Sequence, residues 1–395
     1  MNLISKGLLV VLLLFGSLQA AELEQAKRLH DRLAGVPADA DTLQQMADLI
    51  AAGNATAAAQ LAMDHPDFYR TTLKIFASAW TNRDLDVFEP LNDYTATVIG
   101  LIRDDVDFRQ LLQTDVLYVG ADSLGLPPYA TNNNLHYQAL EQQAVDLRQY
   151  LQPRSQAELS GIPADASAGV MTSRAAAKAF FYLGTNRAML RFTLMSQLCT
   201  DLEPLKDNTT PVDRIRQDVS RSPGGDSRIF HNRCQGCHAG MDPLAQAFAY
   251  YEYQFTDEDG TNGRIFYQAS GTVNDTTGSR VQPKNLVNAG NFPYGYRTEN
   301  DHWQNYWRQG VNQSLGWDNS LPGEGYGARS LGEELANSHA FAQCQVKKVF
   351  QSQCLREPQS LADVSHIQQL TERFQHSGYR MKALFADTAT YCMGD

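Results

Sequence analysis

The six-residue stretch 233–238 constrains this chain more than any other, because it reads Arg-Cys-Gln-Gly-Cys-His. Two cysteines three positions apart lie on one side of a helical turn, and the residue after the second follows on the same side. The C-x-x-C-H spacing is typical of covalent c-type haem attachment, in which both thiols bond the haem and the histidine binds its iron. The motif therefore predicts one covalent haem c held by Cys234 and Cys237, with His238 as an axial iron ligand.

Two other uses of closely spaced cysteines compete with this interpretation. A thioredoxin-like redox pair is typical of a βαβ setting, and a zinc site requires a second Cys or His pair close to the first. Neither context is visible in the sequence around Cys234 and Cys237. We therefore favour haem attachment.

The first twenty residues predict an exported protein. One lysine, Lys6, precedes an apolar run from Gly7 to Phe15, and small residues follow at Ala20 and Ala21. This order is typical of a secretory signal peptide that is cleaved near Ala20. No later apolar run is long enough to span a bilayer. We expect a periplasmic protein without a membrane span, in the compartment where bacterial haem attachment takes place.

The charge of the chain limits its partners. The formal net charge is -11 at pH 7, and removal of residues 1–20 with their single Lys6 makes it about -12. An acidic surface repels nucleic acid and anionic membranes and favours basic partners. We expect a redox partner protein, with a basic one favoured, and no nucleic acid.

Four of the six cysteines remain after the motif is set aside, which is the number needed for two disulfides in an oxidising compartment. Cys344 and Cys354 lie ten residues apart on one predicted helix, about 15 Å along its axis, so they are too distant to pair with each other. If the last three helices run up, down and up, Cys392 returns to the level of Cys354. The preferred pairs are Cys354 with Cys392 and Cys199 with Cys344.

The periodicity of apolar residues predicts a mainly α fold. Up to residue 154 they recur at helical spacing, apart from a predicted long loop at Leu117–Asn134. The predicted helices in this region are Thr42–Ala52, Thr56–Ala62, His65–Trp80, Leu85–Arg103 and Leu135–Leu151. One or two buried helices are predicted over Ala175–Cys199, and Asp226 is a candidate N-cap for the helix that leads into the motif.

The remainder divides into a loop-rich region and three helices. Residues 254–330 predict irregular loops, with short strands at Ile265–Ala269 and Gly271–Val273 and helical periodicity at Asp301–Gln309. The final helices are predicted at Ser338–Leu355, Ser360–Gln375 and Gly378–Tyr391. The predicted organisation is a signal peptide over 1–20, a helical domain over 21–200, a c-type haem domain over 201–330 and a C-terminal helical domain over 331–395.

The residues around the motif resemble a known family. The run Cys-Gln-Gly-Cys-His-Ala-Gly-Met-Asp-Pro-Leu at 234–244 is similar to the haem segment of uncharacterised monohaem cytochrome c-like proteins found in planctomycetes and proteobacteria. Phe341-x-x-Cys344-x-Val346-x-x-x-Phe350, with Phe374 and Gly378-Tyr379, is similar to the small helical domain of those proteins. The resemblance implies haem at Cys234, Cys237 and His238. One departure is Cys354-Leu355-Arg356, which stands where the family commonly has Gly-Arg.

The sequence identifies the second axial ligand of the iron less clearly than the first. Met241 is three residues from His238 on the same side of the ring, so it is poorly placed to reach the opposite face. Small cytochromes usually place a ligand methionine well downstream, and the loop-rich region contains none. His302 is therefore the candidate distal ligand, although a surface histidine of a helix is the alternative. Four arginines are candidates for holding the haem propionates or for pairing with nearby aspartates: Arg214, Arg216, Arg221 and Arg228.

A turn at 256–263 has oxygen-bearing residues at a spacing that resembles a calcium loop, with Asp257, Asp259 and Asn262, but it has no closing glutamate, so a solvated turn is favoured.

Three functions are consistent with the sequence. The leading one is haem binding and electron transfer by a periplasmic monohaem c-type cytochrome. The second is a haem enzyme with an open distal site, for example a peroxidase-like one, because the loop-rich region after the motif contains no methionine and long loops are predicted to cover the site. The third is a scaffold or sensor protein with a structural haem. The sequence contains no nucleophile elbow, phosphate-binding loop or metalloprotease helix that would indicate another enzyme class.

Overall fold

The computed structural model of the protein describes residues 20–258 and 260–394. The predicted signal peptide lies outside these residues except for Ala20, which begins the first described helical segment. Helix makes up 54% of the structure and strand 7%, so the mainly α fold class is confirmed. None of the described helices is long and apolar enough to cross a membrane.

The first half of the chain forms helices of four to fifteen residues. The helices up to residue 197 are α1 (20–34), α2 (Ala40–Ala51), α3 (Ala55–Met63), α4 (Leu73–Ser78), α5 (Asp93–Arg103), α6 (Gln110–Gln113), α7 (Leu135–Gln142), α8 (Leu147–Tyr150), α9 (Gln156–Ser160), α10 (Arg174–Phe180) and α11 (Arg187–Gln197). The later helices are α12 (Ser227–Ile229), α13 (Gln235–Ala245), α14 (Gly327–Ala336), α15 (His339–Cys354), α16 (Leu361–His376) and α17 (Met381–Cys392).

The described strands form three separate antiparallel pairs, so sheets contribute little to the core. In the first pair Leu117 faces Arg154, in the second Tyr251 faces Tyr267, and in the third His302 faces Tyr326. The strands are β1 (Leu117–Gly120), β2 (Leu151–Arg154), β3 (Tyr251–Phe255), β4 (Gly263–Tyr267), β5 (His302–Gln304) and β6 (Glu324–Tyr326).

The described chain groups into two compact units. The smaller unit contains residues 20–76, 146–149 and 346–394, and the larger unit contains residues 77–145 and 150–345. Each unit combines segments that are distant in sequence, and the smaller unit contains both the first and the last described segments of the chain. The domain division expected from the sequence stays a prediction.

The smaller unit is held together by helix packing and one disulfide. Phe68 and Phe76 both contact the ring of Phe385 edge-on, with centroids 5.3 and 5.4 Å apart, on the buried side of α17. Cys354 at the end of α15 and Cys392 at the end of α17 are bonded, as the up-down-up arrangement predicts. The three C-terminal helices are confirmed to within three residues of their predicted bounds.

The larger unit is built around α5, which is buried from Asp93 to Ile102. Gly100 allows this helix to approach β1, because a Cβ at that position would lie 2.1 Å from the ring of Tyr118. The second predicted disulfide, Cys199–Cys344, is present and lies wholly within this unit. Both preferred cysteine pairs are therefore confirmed.

Several predicted elements are wrong in detail. The helix predicted over Leu85–Arg103 begins only at Asp93, because Leu85 has a left-handed φ of 56° and the Asn92 side chain caps the helix. The segment Leu117–Asn134 begins with β1 before it becomes a loop. The predicted strand at Gly271–Val273 is absent from the described structure, and the left-handed φ of 81° at Gly271 indicates a turn instead.

The two disulfides give a test of the fold. Replacing both Cys199 and Cys344 with serine is expected to lower the free energy of unfolding by about 2–5 kcal/mol, because the bond restricts the unfolded chain. The measurement is urea unfolding followed by circular dichroism.

The matched control is the double serine variant of Cys354 and Cys392. Its bond joins residues 38 apart in sequence, compared with 145 for Cys199 and Cys344. Loop-closure entropy then predicts a loss smaller by about 1 kcal/mol. A Cys199/Cys344 variant as stable as the unmodified protein would contradict this account.

Candidate functional site

The motif lies at the start of a helix whose preceding turn is widened. The Asp226 side chain accepts a hydrogen bond from the backbone N–H of Arg228 and caps α12, as predicted. A π-helical segment, Phe230–Cys234, follows directly and leads into α13. π-Helical turns are frequent at functional sites. Cys234 is the last residue of this widened turn.

Cys234, Cys237 and His238 line one surface cavity of about 380 Å³. Met241, one turn further along α13, lines the same cavity. Residues 234, 237, 238 and 241 recur at three- and four-residue spacing, so they form one stripe of the helix. The sequence prediction that the two thiols and the imidazole face the same way is met by this arrangement.

Both motif cysteines are free and partly buried, whereas the other four cysteines are paired. Burial raises the pKa of the Cys237 thiol, and the nearby Glu203 carboxylate adds to the rise. Cys237 Sγ lies 3.6 Å from the backbone oxygen of Leu202. The thiol is therefore held in its neutral, protonated form at neutral pH.

A carboxylate one turn away orients the imidazole of His238. The distance from His238 Nδ1 to Asp242 Oδ1 is 3.1 Å, and the Asp242 side chain has no exposed surface. Because one ring nitrogen is engaged in this way, Nε2 is the nitrogen left to bind a metal. A carboxylate that accepts from the other nitrogen of a metal-binding histidine fixes its tautomer and raises its basicity.

Asp242 is itself the centre of a buried ion-pair cluster. Arg187 donates from Nε to Asp242 Oδ1 at 2.6 Å and from a terminal nitrogen to Oδ2 at 2.9 Å. The same guanidinium donates two hydrogen bonds to Asp218, at 2.6 and 2.8 Å. The backbone N–H of Arg216 also donates to Asp242 Oδ2, at 3.0 Å. The position of the carboxylate is thus fixed from three directions.

This cluster shifts the pKa values of its members. Burial alone would raise the pKa of Asp242, but the charge of Arg187 and the hydrogen bond with His238 outweigh it and hold the pKa well below its usual range. Burial would likewise lower the pKa of Arg187, and the charges of Asp242 and Asp218 more than compensate and raise it. Asp242 is therefore a permanent anion behind His238.

Arg216 is buried beside this cluster with spare donors. Its side chain donates one hydrogen bond, to the backbone oxygen of Thr185 at 2.8 Å, while Nε and one terminal nitrogen have no partner among the described residues. Burial and the neighbouring charge of Arg187 lower the pKa of Arg216 to about 10. Arg216 thus adds positive charge below the motif without an ion pair of its own.

None of the four candidate propionate-binding arginines is among the residues that line the motif cavity, and three of them are held by other groups. Arg214 donates to Gln304, Tyr296 and the backbone of His302. Arg221 lies over the rings of Phe230 and Phe292, and Arg228 pairs with Asp226 at 2.7 Å, as its alternative interpretation expected. The cations that line the cavity are Arg191 and Arg233, which the sequence reasoning missed.

His302 is not among the residues that line the motif cavity. Its ring lies 4.8 Å from that of Tyr326, and Nε2 is 3.5 Å from a carboxylate oxygen of Glu324. The helix expected over Asp301–Gln309 is wrong, because His302–Gln304 forms β5 and Tyr306–Arg308 a short 3₁₀ turn. The role of His302 as distal ligand stays a prediction that this placement does not support.

The residues present fit a covalently attached haem. The cavity lining provides two unpaired thiols and one imidazole with a free nitrogen, which are the groups that covalent attachment and axial ligation of a haem require. In the part of the chain that the structure describes, no group of three or more His, Cys, Asp and Glu side chains is placed to hold a metal ion.

Asp257 of the calcium-like turn accepts from the backbone of Asn262, as in an ordinary turn, and Asp259 lies outside the described residues.

Comparison of the chain with protein-family models, with curated proteins and with solved structures finds no match.

Asp242 gives a test of the cluster. The Asp242→Asn substitution is expected to lower the free energy of unfolding by about 3 kcal/mol at neutral pH, because the guanidinium of Arg187 loses a buried carboxylate partner. The lowered pKa of Asp242 stabilises the fold above the carboxyl's unfolded-state pKa of about 3.9, and this contribution is lost as the pH falls below it. Stability should therefore fall less steeply below about pH 4 in the variant, as measured by urea unfolding between neutral pH and acid.

The matched control is Asp122→Asn, which removes an exposed ion pair with Arg154 in the same unit. That change is expected to cost less than about 1 kcal/mol. Equal losses in the two variants, or parallel acid profiles for Asp242→Asn and the unmodified protein, would disprove the role of the cluster.

Proposed function

We propose that the protein is an exported monohaem c-type cytochrome that binds haem through the motif and transfers electrons. The observation that carries the proposal is the stripe of Cys234, Cys237 and His238 along one cavity, while all four other cysteines are paired in disulfides. Two thiols that stay free in a disulfide-containing protein are available for thioether bonds.

Each residue of the site has a distinct task in this proposal. Cys234 and Cys237 would attach the haem, and His238 would bind the iron through Nε2. Bound haem would supply a one-electron couple at the iron. Asp242 accepts from Nδ1 of His238, keeps the imidazole in one tautomer and increases its basicity, which favours the oxidised state of a metal bound to it.

The charges at the rim suit recognition by a partner protein. Asp201 and Glu203 line the cavity beside Arg191 and Arg233, and Arg191 pairs with Asp201 at 2.7 Å. The whole chain is strongly acidic, with a formal charge of -11. Such a charge steers basic partners toward the protein, so a basic redox partner is proposed. The two disulfides and the absence of a membrane-spanning helix among the described residues agree with export.

A second candidate function, a haem enzyme with an open distal site, is favoured by one observation. Among the described residues that line the cavity, His238 provides the imidazole, and the one thioether, Met241, lies on the same helical stripe. A ligand from the same stripe does not reach the opposite face of a haem that His238 holds. The protein would then bind a small molecule such as peroxide at the free position.

Haem attachment is tested in protein expressed with a haem-maturation system. The Cys234→Ala/Cys237→Ala variant is expected to lose all covalently bound haem, because no thiol remains at the motif. The measurement is the intact mass after denaturation, which increases by one haem in the unmodified protein. The Cys354→Ser/Cys392→Ser variant is the control and is expected to keep the haem.

Absorption spectra then separate the two candidate functions. A low-spin spectrum that neither carbon monoxide nor cyanide changes is expected for an electron carrier with two protein ligands. A spectrum that shifts readily with either ligand would favour the enzyme. Unmodified protein that retains no covalent haem after maturation would refute both, and so would haem retention by the double alanine variant.

A further inference from the structure

The larger unit contains a second, larger cavity, of about 760 Å³, whose lining includes none of the motif residues. Its walls come from α10, from the asparagine-rich segment 132–134 before α7, from segment 81–92 before α5 and from residues 261–262. Its volume is within the range of small-molecule sites, which is 300 to about 1,000 Å³. This cavity takes no part in the proposed haem chemistry.

Three cations line this cavity, and none forms an ion pair with a described residue: Arg83, Arg174 and Lys178. Arg83 donates to the backbone oxygens of Ala179 and Tyr182, at 2.5 and 3.1 Å. Lys178 donates to the backbone oxygen of Thr261 at 3.1 Å. Carbonyl oxygens orient these side chains without neutralising them, so the charges remain available to a ligand.

Arg174 is the buried member of the three, with 6% of its surface exposed. One terminal nitrogen donates to the side-chain oxygen of Asn134 at 2.8 Å, while Nε has no hydrogen-bond partner among the described residues. The nearby carboxylate of Asp93 is occupied by the backbone N–H groups of Arg174 and Ala175, at 2.6 and 3.0 Å. The Nε atom is too buried to meet a ligand, but a buried guanidinium without an ion-pair partner is costly, and an anion in the cavity would lower that cost.

The balance of charge in the cavity is opposite to that of the protein. Its lining contains three cationic side chains and one acidic one, Glu89, in a chain with a formal charge of -11. A concentration of unpaired positive charge inside an acidic protein selects anions.

The neutral part of the lining indicates what else the ligand carries. Gln138 and Asn262 are among the residues that line this cavity. Their side-chain amides form no hydrogen bond with the described part of the chain. Amides donate and accept, which suits hydroxyl groups. Tyr182 and Leu183, which are 37% and 65% exposed, add apolar surface for a carbon skeleton.

We propose that this cavity binds a small hydroxylated organic anion, the anionic group being held by Arg83, Arg174 and Lys178. The hydroxyl groups bind the amides, and the carbon skeleton packs against Tyr182. A carboxylate and a phosphate monoester share this chemistry, and the experiment distinguishes them.

The test is calorimetric titration of the full chain with glucuronate, with glucose 6-phosphate and with neutral glucose. Glucuronate or glucose 6-phosphate is expected to bind with a Kd below about 1 mM, and glucose at least about tenfold more weakly. The stronger of the two charged probes identifies the anionic group. The Arg83→Gln/Lys178→Gln variant is expected to weaken the charged probe by about tenfold or more, because two charge-assisted hydrogen bonds are lost.

Arg329→Gln is the matched control, because Arg329 is an exposed arginine of the same unit that also donates to a backbone oxygen, that of Ala164. It is expected to leave the affinity unchanged. Arg83 and Lys178 are exposed, so their replacement should preserve the fold, which circular dichroism verifies. The proposal is overturned if neither charged probe saturates, if glucose binds equally well, or if the double variant binds like the unmodified protein.

Discussion

A buried carboxylate, Asp242, is the constraint on which the rest of the site depends. It has no exposed surface, and a buried anion is tolerated only with cations and donors placed around it. The guanidinium of Arg187 supplies the charge, and the backbone of Arg216 supplies a further donor. These partners come from α11 and from the segment before the motif, so one side chain joins three parts of the larger unit and fixes His238 at the same time.

The elements that follow local rules could be predicted from the sequence. The last three helices have clear apolar periodicity and breaks, and α16 begins with a capping box formed by Ser360 and Asp363. The disulfide partners followed from helix lengths and an up-down-up order. Asp301–Gln309 could not be assigned in this way, because Trp303 and Trp307 are buried by tertiary contacts with α14 and α13 and do not form one face of a helix of their own.

In the candidate site, too, some residues could be predicted from local spacing, whereas others are placed by tertiary packing. Cys234, Cys237 and His238 lie within five consecutive positions, on one helical turn and its entry, so their common orientation could be predicted from spacing alone. The pairing of His238 with Asp242 could have been found from the four-residue spacing on a helix. Arg187 could not, because it is 55 positions from Asp242 and its partner is decided by tertiary packing. The surroundings of Arg214 and Arg221 could not be predicted for the same reason, since they lie over the rings of Tyr296 and Phe292, which are distant in sequence.

The Cys199–Cys344 bond has a topological consequence for damage to the protein. The chain between these residues is a closed covalent loop that contains the motif, Asp242 and the exposed turns around residues 270–297. Exposed loops are the preferred sites of proteolytic nicking. A single backbone cut anywhere in this loop leaves both fragments attached through sulfur, so the nicked molecule keeps its mass apart from one added water. The motif helix is thus protected from loss even where the backbone beside it is open to proteases.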